Sequence, residues 1–215
     1  MKILAFDTCL DKMYVAISED NKLLASKIVE TTQSHYHSAF LISTIKDILK
    51  ENDLTPQDID IIATNIGPGS FTGIRACTTV ARVFAQGGEN IKTVGISSLE
   101  ILSRINKLKK PSLVALDARK EMAYVAIFED GEEILAPRTM LVEELREIIV
   151  KGDYFIVTDD RLEPILGGVS YQQQSDDLGE YLIQIATKKI NANLGIDWCQ
   201  LIPLYIQPPA LNLKK

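Results

Sequence analysis

Histidine is scarce in this sequence: among 215 residues only His35 and His37 occur, two apart in SHYH. At the start of an expected helix, residues two apart are rotated by about 200°, so the pair cannot ligate one metal from one face as an i, i+4 pair does. They read as a partly exposed pair. Cysteine is also sparse: Cys9, Cys77 and Cys199 are odd in number, widely spaced and never in CxxC. That excludes a disulfide framework and a zinc knuckle and leaves three reduced thiols, some of them buried. Positive charge is in deficit, with 23 Lys and Arg against 29 Asp and Glu for a net charge of −6. A phosphate backbone demands clustered positive charge, so nucleic acid, if it matters here, is held by another subunit. No apolar run approaches the roughly 18 residues of a membrane span. The opening MKILAFD reads as a strand reaching an acid rather than a signal peptide, so a cytoplasmic location is expected.

What is present is ordinary for a globular chain: 46% apolar and 24% charged residues, enough for one large domain or two lobes of about 100 residues each. The most distinctive stretch is NIGPGSFTGIR, Asn65 to Arg75. Upstream, Ile59, Ile61, Ile62 and Ala63 form an apolar run of strand length. Downstream, Ile74, Cys77, Val80, Ala81 and Phe84 recur at helical spacing, with Ser70 or Thr72 as N-cap. Between strand and helix, Gly67, Gly69 and Gly73 let the backbone turn sharply and let a ligand or the chain itself come close. Gly67, Gly69, Ser70, Thr72, Gly73 and Arg75 therefore form a turn that could take an anion at the helix N-terminus or support a partner surface. Equally, it could be a tight corner with no ligand, since it matches neither GxxxxGK[ST] nor GxGxxG.

A shift of 110 residues pairs ILAFDTCLDKMYVAISED with LVALDARKEMAYVAIFED without a gap, including Ala5/Ala115, Asp7/Asp117, Tyr14/Tyr124 and Ile17/Ile127. The chain thus reads as two copies of one unit. Each copy opens with a strand, a turn led by an Asp, and two further strands, followed by helices. That order predicts an α/β, duplicated actin-like (ASKHA, ribonuclease-H-like) two-lobe fold with mixed sheets flanked by helices. In the first copy, helices are expected over Ser34–Asn52, with Phe40, Leu41, Ile45, Ile48 and Leu49 on one stripe, over Arg75–Gln86, and from Ser97 or Ser98 to Lys107. The second should hold helices near Leu141–Val150 and Leu178–Asn193. Lys109, Lys110 and Pro111 mark the boundary, giving lobes at 1–108 and 109–215, the latter ending in an extended tail around Pro203, Pro208 and Pro209.

Asp7, with Thr8 beside it, and Asp117 stand where an actin-like phosphotransferase leads its two nucleotide-bracketing hairpins. Such hairpins need glycine after the acid so that turn N–H groups reach the phosphates. Here the turns read DTCLDK and DARKEM, with Arg119, Lys120 and Met122 where small residues belong. Gly167-Gly168 is a weak candidate for an adenine site. Asp7, Thr8 and Asp117 therefore read as a vestigial nucleotide cleft in which two aspartates cap hairpins. Ser70 and Thr72 lack a neighbouring base to make them nucleophiles, while Asp159-Asp160 and Glu132-Glu133 read as solvated pairs. No metal and no cofactor are expected. The Arg75–Gln86 helix carries Ala76, Cys77, Thr78, Thr79, Ala81 and Ala85, small enough for close helix packing, either on the lobe's own sheet, the favoured reading, or against a partner.

Taken together, ILAFDTC, HSAFLI, NIGPGSFTGIR, ALDARKEMAY and PLYIQPP resemble the TsaB (YeaZ) family of bacterial tRNA threonylcarbamoyladenosine biosynthesis proteins along the whole chain. Cys9 departs from the usual Ser, Ser43 from an expected proline, and the acidic residues usual after the final prolines are missing. The resemblance implies a non-catalytic subunit, a silent paralogue of TsaD. TsaD is the metal-binding transferase that places threonylcarbamoyl on adenosine 37 of tRNAs reading codons that begin with A. It implies pairing with TsaD through first-lobe helices bearing Phe40, Leu41, Ala76, Thr79, Arg82 and Val83. The ATPase TsaE would join the assembly, tRNA would be met only through the complex, and the chain would form a homodimer when alone. The competing readings are an actin-like ATP-dependent phosphotransferase and a metal-dependent peptidase.

Overall fold

The computed structural model describes residues 1–30 and 37–206. Strand β1 (Lys2–Asp7) pairs antiparallel with β2 (Met13–Glu19), and β2 with β3 (Lys22–Val29). The β2–β3 turn places Asp20 and Asn21 in the left-handed region, which short polar side chains tolerate. A 3-10 turn, His37–Phe40, leads into α1 (Leu41–Glu51). The helix expected from Ser34 thus starts at Leu41; Ser34 and His35 lie outside the described residues, as do the side chain of His37 and the tail prolines Pro208 and Pro209. Then come β4 (Ile61–Asn65), α2 (Phe71–Gln86), β5 (Lys92–Ile96) and α3 (Ser98–Ser103). Helix α2 begins four residues before the expected Arg75, since Ser70 caps it. Helix α3 stops before the expected Lys107, and beyond it the Asn106 side chain accepts from Leu108 N and donates to the Lys110 carbonyl. The strands form one sheet in the order β3-β2-β1-β4-β5, with β1, β4 and β5 parallel.

The second group runs β6 (Ser112–Asp117), β7 (Met122–Glu129), β8 (Glu132–Leu141), α4 (Val142–Lys151), β9 (Phe155–Thr158), α5 (Glu163–Leu166) and β10 (Val169–Ser170). Its sheet has the order β10-β9-β6-β7-β8 and a core of Leu113, Ala115, Ala123, Val125, Leu145 and Leu162. An antiparallel meander joined to a parallel strand therefore occurs twice, as the internal repeat implies. The two hairpins differ in register by one residue. Asp7 lies opposite Tyr14, whereas Asp117 lies opposite Ala123. The tighter second turn holds Arg119, Lys120 and Glu121 all at positive φ, a conformation costly for residues with a Cβ.

The last helix, α6 (Leu178–Asn191), is the main departure from the sequence reading. It packs on β1, β2 and β3 of the first sheet, and among the described residues the first compact unit comprises those of Met1–Ile101 with Ser175–Pro203, the second Leu102–Gln174 with residues 204–206. The two-lobe partition at residue 108 is corrected accordingly. The cause is the first sheet's second apolar face. Leu4, Phe6, Val15 and Ile17 pack with α1 and α2. Ile3, Ala5 and Ala16, equally buried, alternate to the other side. Buried Leu178, Leu182 and Ile185 of α6 cover it, with Gly179 close to the Ala16 methyl at 3.2 Å from its would-be Cβ. Asp177 caps the helix by accepting from Gly179 N. Lys189 pairs with Glu100, and Ile196 bridges to Thr93 on the edge strand.

Candidate functional site

The site is built where β1 and β4 end side by side and α2 begins. β1 delivers Asp7, fully buried. The Cys9 N–H donates to Asp7 Oδ1 at 2.6 Å, while Asp7 Oδ2 has no hydrogen-bond partner. Burial pushes the carboxyl up to about 6, partly offset by the Cys9 N–H and the neighbouring Asn65 and Cys9 side chains. β4 delivers Asn65, whose Oδ1 accepts from Gly67 N at 2.8 Å and Ser98 Oγ at 3.0 Å. These bonds fold the strand end into the glycine turn. Gly67 sits at φ 104°, a conformation that favours glycine.

The question left open by the glycines, ligand or chain, has a local answer at two of them. A Cβ on Gly69 would lie 2.4 Å from the Cys9 carbonyl oxygen, and one on Gly73 would lie 1.9 Å from that of Thr8. The turn after Asp7 fills the space. Ser70 N–H donates to the Cys9 carbonyl at 2.8 Å, and Ser70 Oγ caps Gly73 N at 3.2 Å. Of the expected N-cap residues it is Ser70 that caps, and Thr72 is exposed. Thr8 is buried, its hydroxyl donating to the Gly73 carbonyl at 2.9 Å.

Two residues that spacing did not bring together meet here. Cys9 and Cys77 are both buried beside Asp7. The Thr8 N–H donates to Cys77 Sγ at 3.2 Å, and Cys9 Sγ donates to the Asn65 carbonyl at 3.4 Å. Cys77 has the helical period of a core residue, and nothing in its spacing from Cys9 marks a cluster.

Of the expected partner-facing residues, Leu41 is buried in the core, so it is not presented to a partner. Phe40 is exposed, but in the 3-10 turn rather than in a helix. Along α2, Phe71, Arg75, Thr79 and Val83 form one exposed row at four-residue spacing, with half-buried Ala76 and Arg82 flanking it. Arg75 stacks over the Phe71 ring at 4.0 Å and Arg82 lies over Trp198 at 5.8 Å. Val83 is 64% exposed.

In the second unit, Asp117 accepts from Arg161 Nη1 at 2.8 Å and from Arg119 N at 3.0 Å. Asp159 and Asp160, expected to be solvated, are engaged. Asp159 accepts from the N–H groups of Asp117, Arg161 and Leu162, and Asp160 from Ser170 Oγ and Gln173. These bonds hold the Asp160 carboxyl below the usual range. A Cβ on Gly168 would lie 2.4 Å from the Ile156 carbonyl oxygen, so that glycine serves strand packing. Glu132 and Glu133 are exposed.

A family model described as TsaD, tRNA N6-adenosine threonylcarbamoyltransferase, matches residues 22–149, more than half of the chain. The chain belongs to this family. Within it, the chain is a TsaB (YeaZ) member. It is 27% identical to the tRNA threonylcarbamoyladenosine biosynthesis protein TsaB of Bacillus subtilis over 71% of this chain and 68% of that one. With the TsaB of Escherichia coli the identity is 30%, over 61% of this chain and only 57% of that protein. The solved structure of YeaZ from Pseudomonas aeruginosa superimposes with a TM-score of 0.77, covering 95% of this chain and 99% of that one at 23% identity. That likeness establishes the duplicated actin-like fold. Among the described residues, no helix is long and apolar enough to cross a membrane.

Proposed function

We propose that this chain works in the synthesis of threonylcarbamoyladenosine in tRNA as a non-catalytic subunit that pairs with a TsaD-type transferase. Its relatives named for that biosynthesis support the pathway. The observation that carries the non-catalytic role is the occupied glycine turn. The backbone room at Gly69 and Gly73 is taken by the Cys9 and Thr8 carbonyls, so the α2 N-terminus spends its close-approach geometry on internal packing. Asp117 is likewise engaged by Arg161. The grip is the exposed α2 row from Phe71 to Val83, with Phe40 beside it, a surface with the apolar and arginine content of interface cores. Alone, the chain pairs with a second copy; a TsaE-type ATPase joins the complex; tRNA is met through the transferase; and the work is done in the cytoplasm.

Mixing the chain with its cognate TsaD-type transferase tests this. Co-elution on size exclusion and tRNA modification that depends on the chain are expected. A transferase that ignores the chain, or modifies tRNA at full rate alone, overturns it. Calorimetry with Mg-ATP is the counter-arm: micromolar binding lost in Asp7→Ala would favour a phosphotransferase instead.

A further inference from the structure

Buried polar atoms almost always find partners, and each exception asks for a cause. At the end of β1 the carboxylate oxygen Asp7 Oδ2, an acceptor, is such an exception. There one ligand atom each from Asp7, Cys9 and Cys77 lies within 4.8 Å of the others, and all three residues are buried. In a tetrahedral zinc site, bonds of about 2.0–2.3 Å place ligand atoms roughly 3.5–3.8 Å apart. Contraction by about 1 Å would therefore bring these three donors onto one ion.

We propose that Asp7, Cys9 and Cys77 form a closed site for one thiophilic d10 cation of the zinc class, which pins the turn after β1 to helix α2. The donor set decides the class, since two sulfurs select soft or borderline ions over magnesium or calcium. The Asn65 carbonyl, 3.4 Å from Cys9 Sγ, offers a fourth ligand. Backbone donors already surround the set, as metal thiolates and carboxylates require. The Cys9 N–H bonds to Asp7 Oδ1 and the Thr8 N–H to Cys77 Sγ. Binding displaces both thiol protons, and the carboxyl proton where Asp7 carries it, to solvent; nothing is oxidised or reduced. With every ligand buried, no open coordination position faces solvent, so the ion is structural and the proposal is independent of the scaffold role.

The test uses the full chain in a Cys199→Ser background, which removes the exposed thiol, kept reduced and refolded with cadmium as probe. One cadmium per chain by native mass spectrometry is expected, together with a thiolate-to-metal charge-transfer band that saturates at one equivalent. Cys9→Ser and Cys77→Ser should each weaken binding at least about tenfold, as should Asp7→Asn, which keeps both sulfurs. The mass measurement on the parent chain does not depend on the variants folding. Absence of the bound ion, a band unchanged in Cys77→Ser, or a Cys9–Cys77 disulfide found instead in freshly purified unreduced protein overturns the proposal.

Discussion

The Thr8 hydroxyl donates to the Gly73 carbonyl across 2.9 Å, and a Cβ on Gly73 would stand 1.9 Å from the Thr8 carbonyl oxygen. Neither backbone can yield, because Thr8 follows a fully paired central strand and Gly73 lies in the first turn of α2. Gly73→Ala should therefore cost more than the usual 1–3 kcal/mol of overpacking. Gly87→Ala, whose Cβ would meet nothing closer than 3.5 Å, should change stability by less than about 1 kcal/mol. Urea unfolding of the two variants makes the comparison, and equal losses would mean the interlock does not matter.

Asp7 gives the fold an acid-stabilised element. Its carboxyl, ordinarily at 3.8, is pushed up to about 6 by burial. The raised value makes the contribution fully present below pH 3.8 and lost as pH climbs through about 6, a swing of about 3 kcal/mol. Asp20, Asp58 and Asp160 are shifted down, and so act below that window. Asp7→Asn keeps an acceptor for the Cys9 N–H. Measured on chelator-treated, metal-free protein, it should flatten stability between about pH 4 and pH 6.5 and exceed the metal-free parent near neutrality. A metal-free parent whose unfolding free energy is level across that range would contradict the buried charge.

Most of the fold was legible because each repeat carries its own local signals: an apolar strand ending in Asp, a meander and a glycine or proline break. The fate of α6 was not. Its stripe of Leu178, Leu182 and Ile185 states that one face is buried, but periodicity does not say against which sheet, and chain order suggested the nearer one. The glycine turn was legible as a site of close approach, while the identity of what approaches required the position of Thr8 and Cys9. Leu41 misled for a related reason: a helical stripe marks burial, and the exposed row of α2 is found only by subtracting it. The Cys9–Cys77 meeting left no trace, since it depends on where α2 crosses the end of β1.

The placement of α6 has its own consequence. Leu182 is fully buried, and Leu182→Ala should destabilise by about 2–5 kcal/mol through lost transfer energy and the cavity left behind. Because α6 covers β1 and β2, the earliest loss of amide protection in hydrogen exchange should fall in those strands. Loss confined to β6 and β7 would place the helix with the other sheet.

The row on α2 separates folding from partnership. Val83 is 64% exposed and lies one turn from Thr79 and two from Arg75 on a helix whose opposite side, Ile74, Cys77, Ala81 and Ala85, is buried. Val83→Asp therefore removes little packing, and its melting behaviour should stay within about 0.5 kcal/mol of the parent. At the centre of an apolar interface the same change buries an unpaired charge, which costs several kcal/mol. Association with the transferase, and self-association of the free chain, should each weaken by at least about tenfold, read by size exclusion and sedimentation. Cys77→Ala, on the buried side, should do the reverse, lowering stability while leaving association intact in the folded fraction. If Val83→Asp pairs as tightly as the parent, the grip lies on another surface and α2 serves the sheet alone.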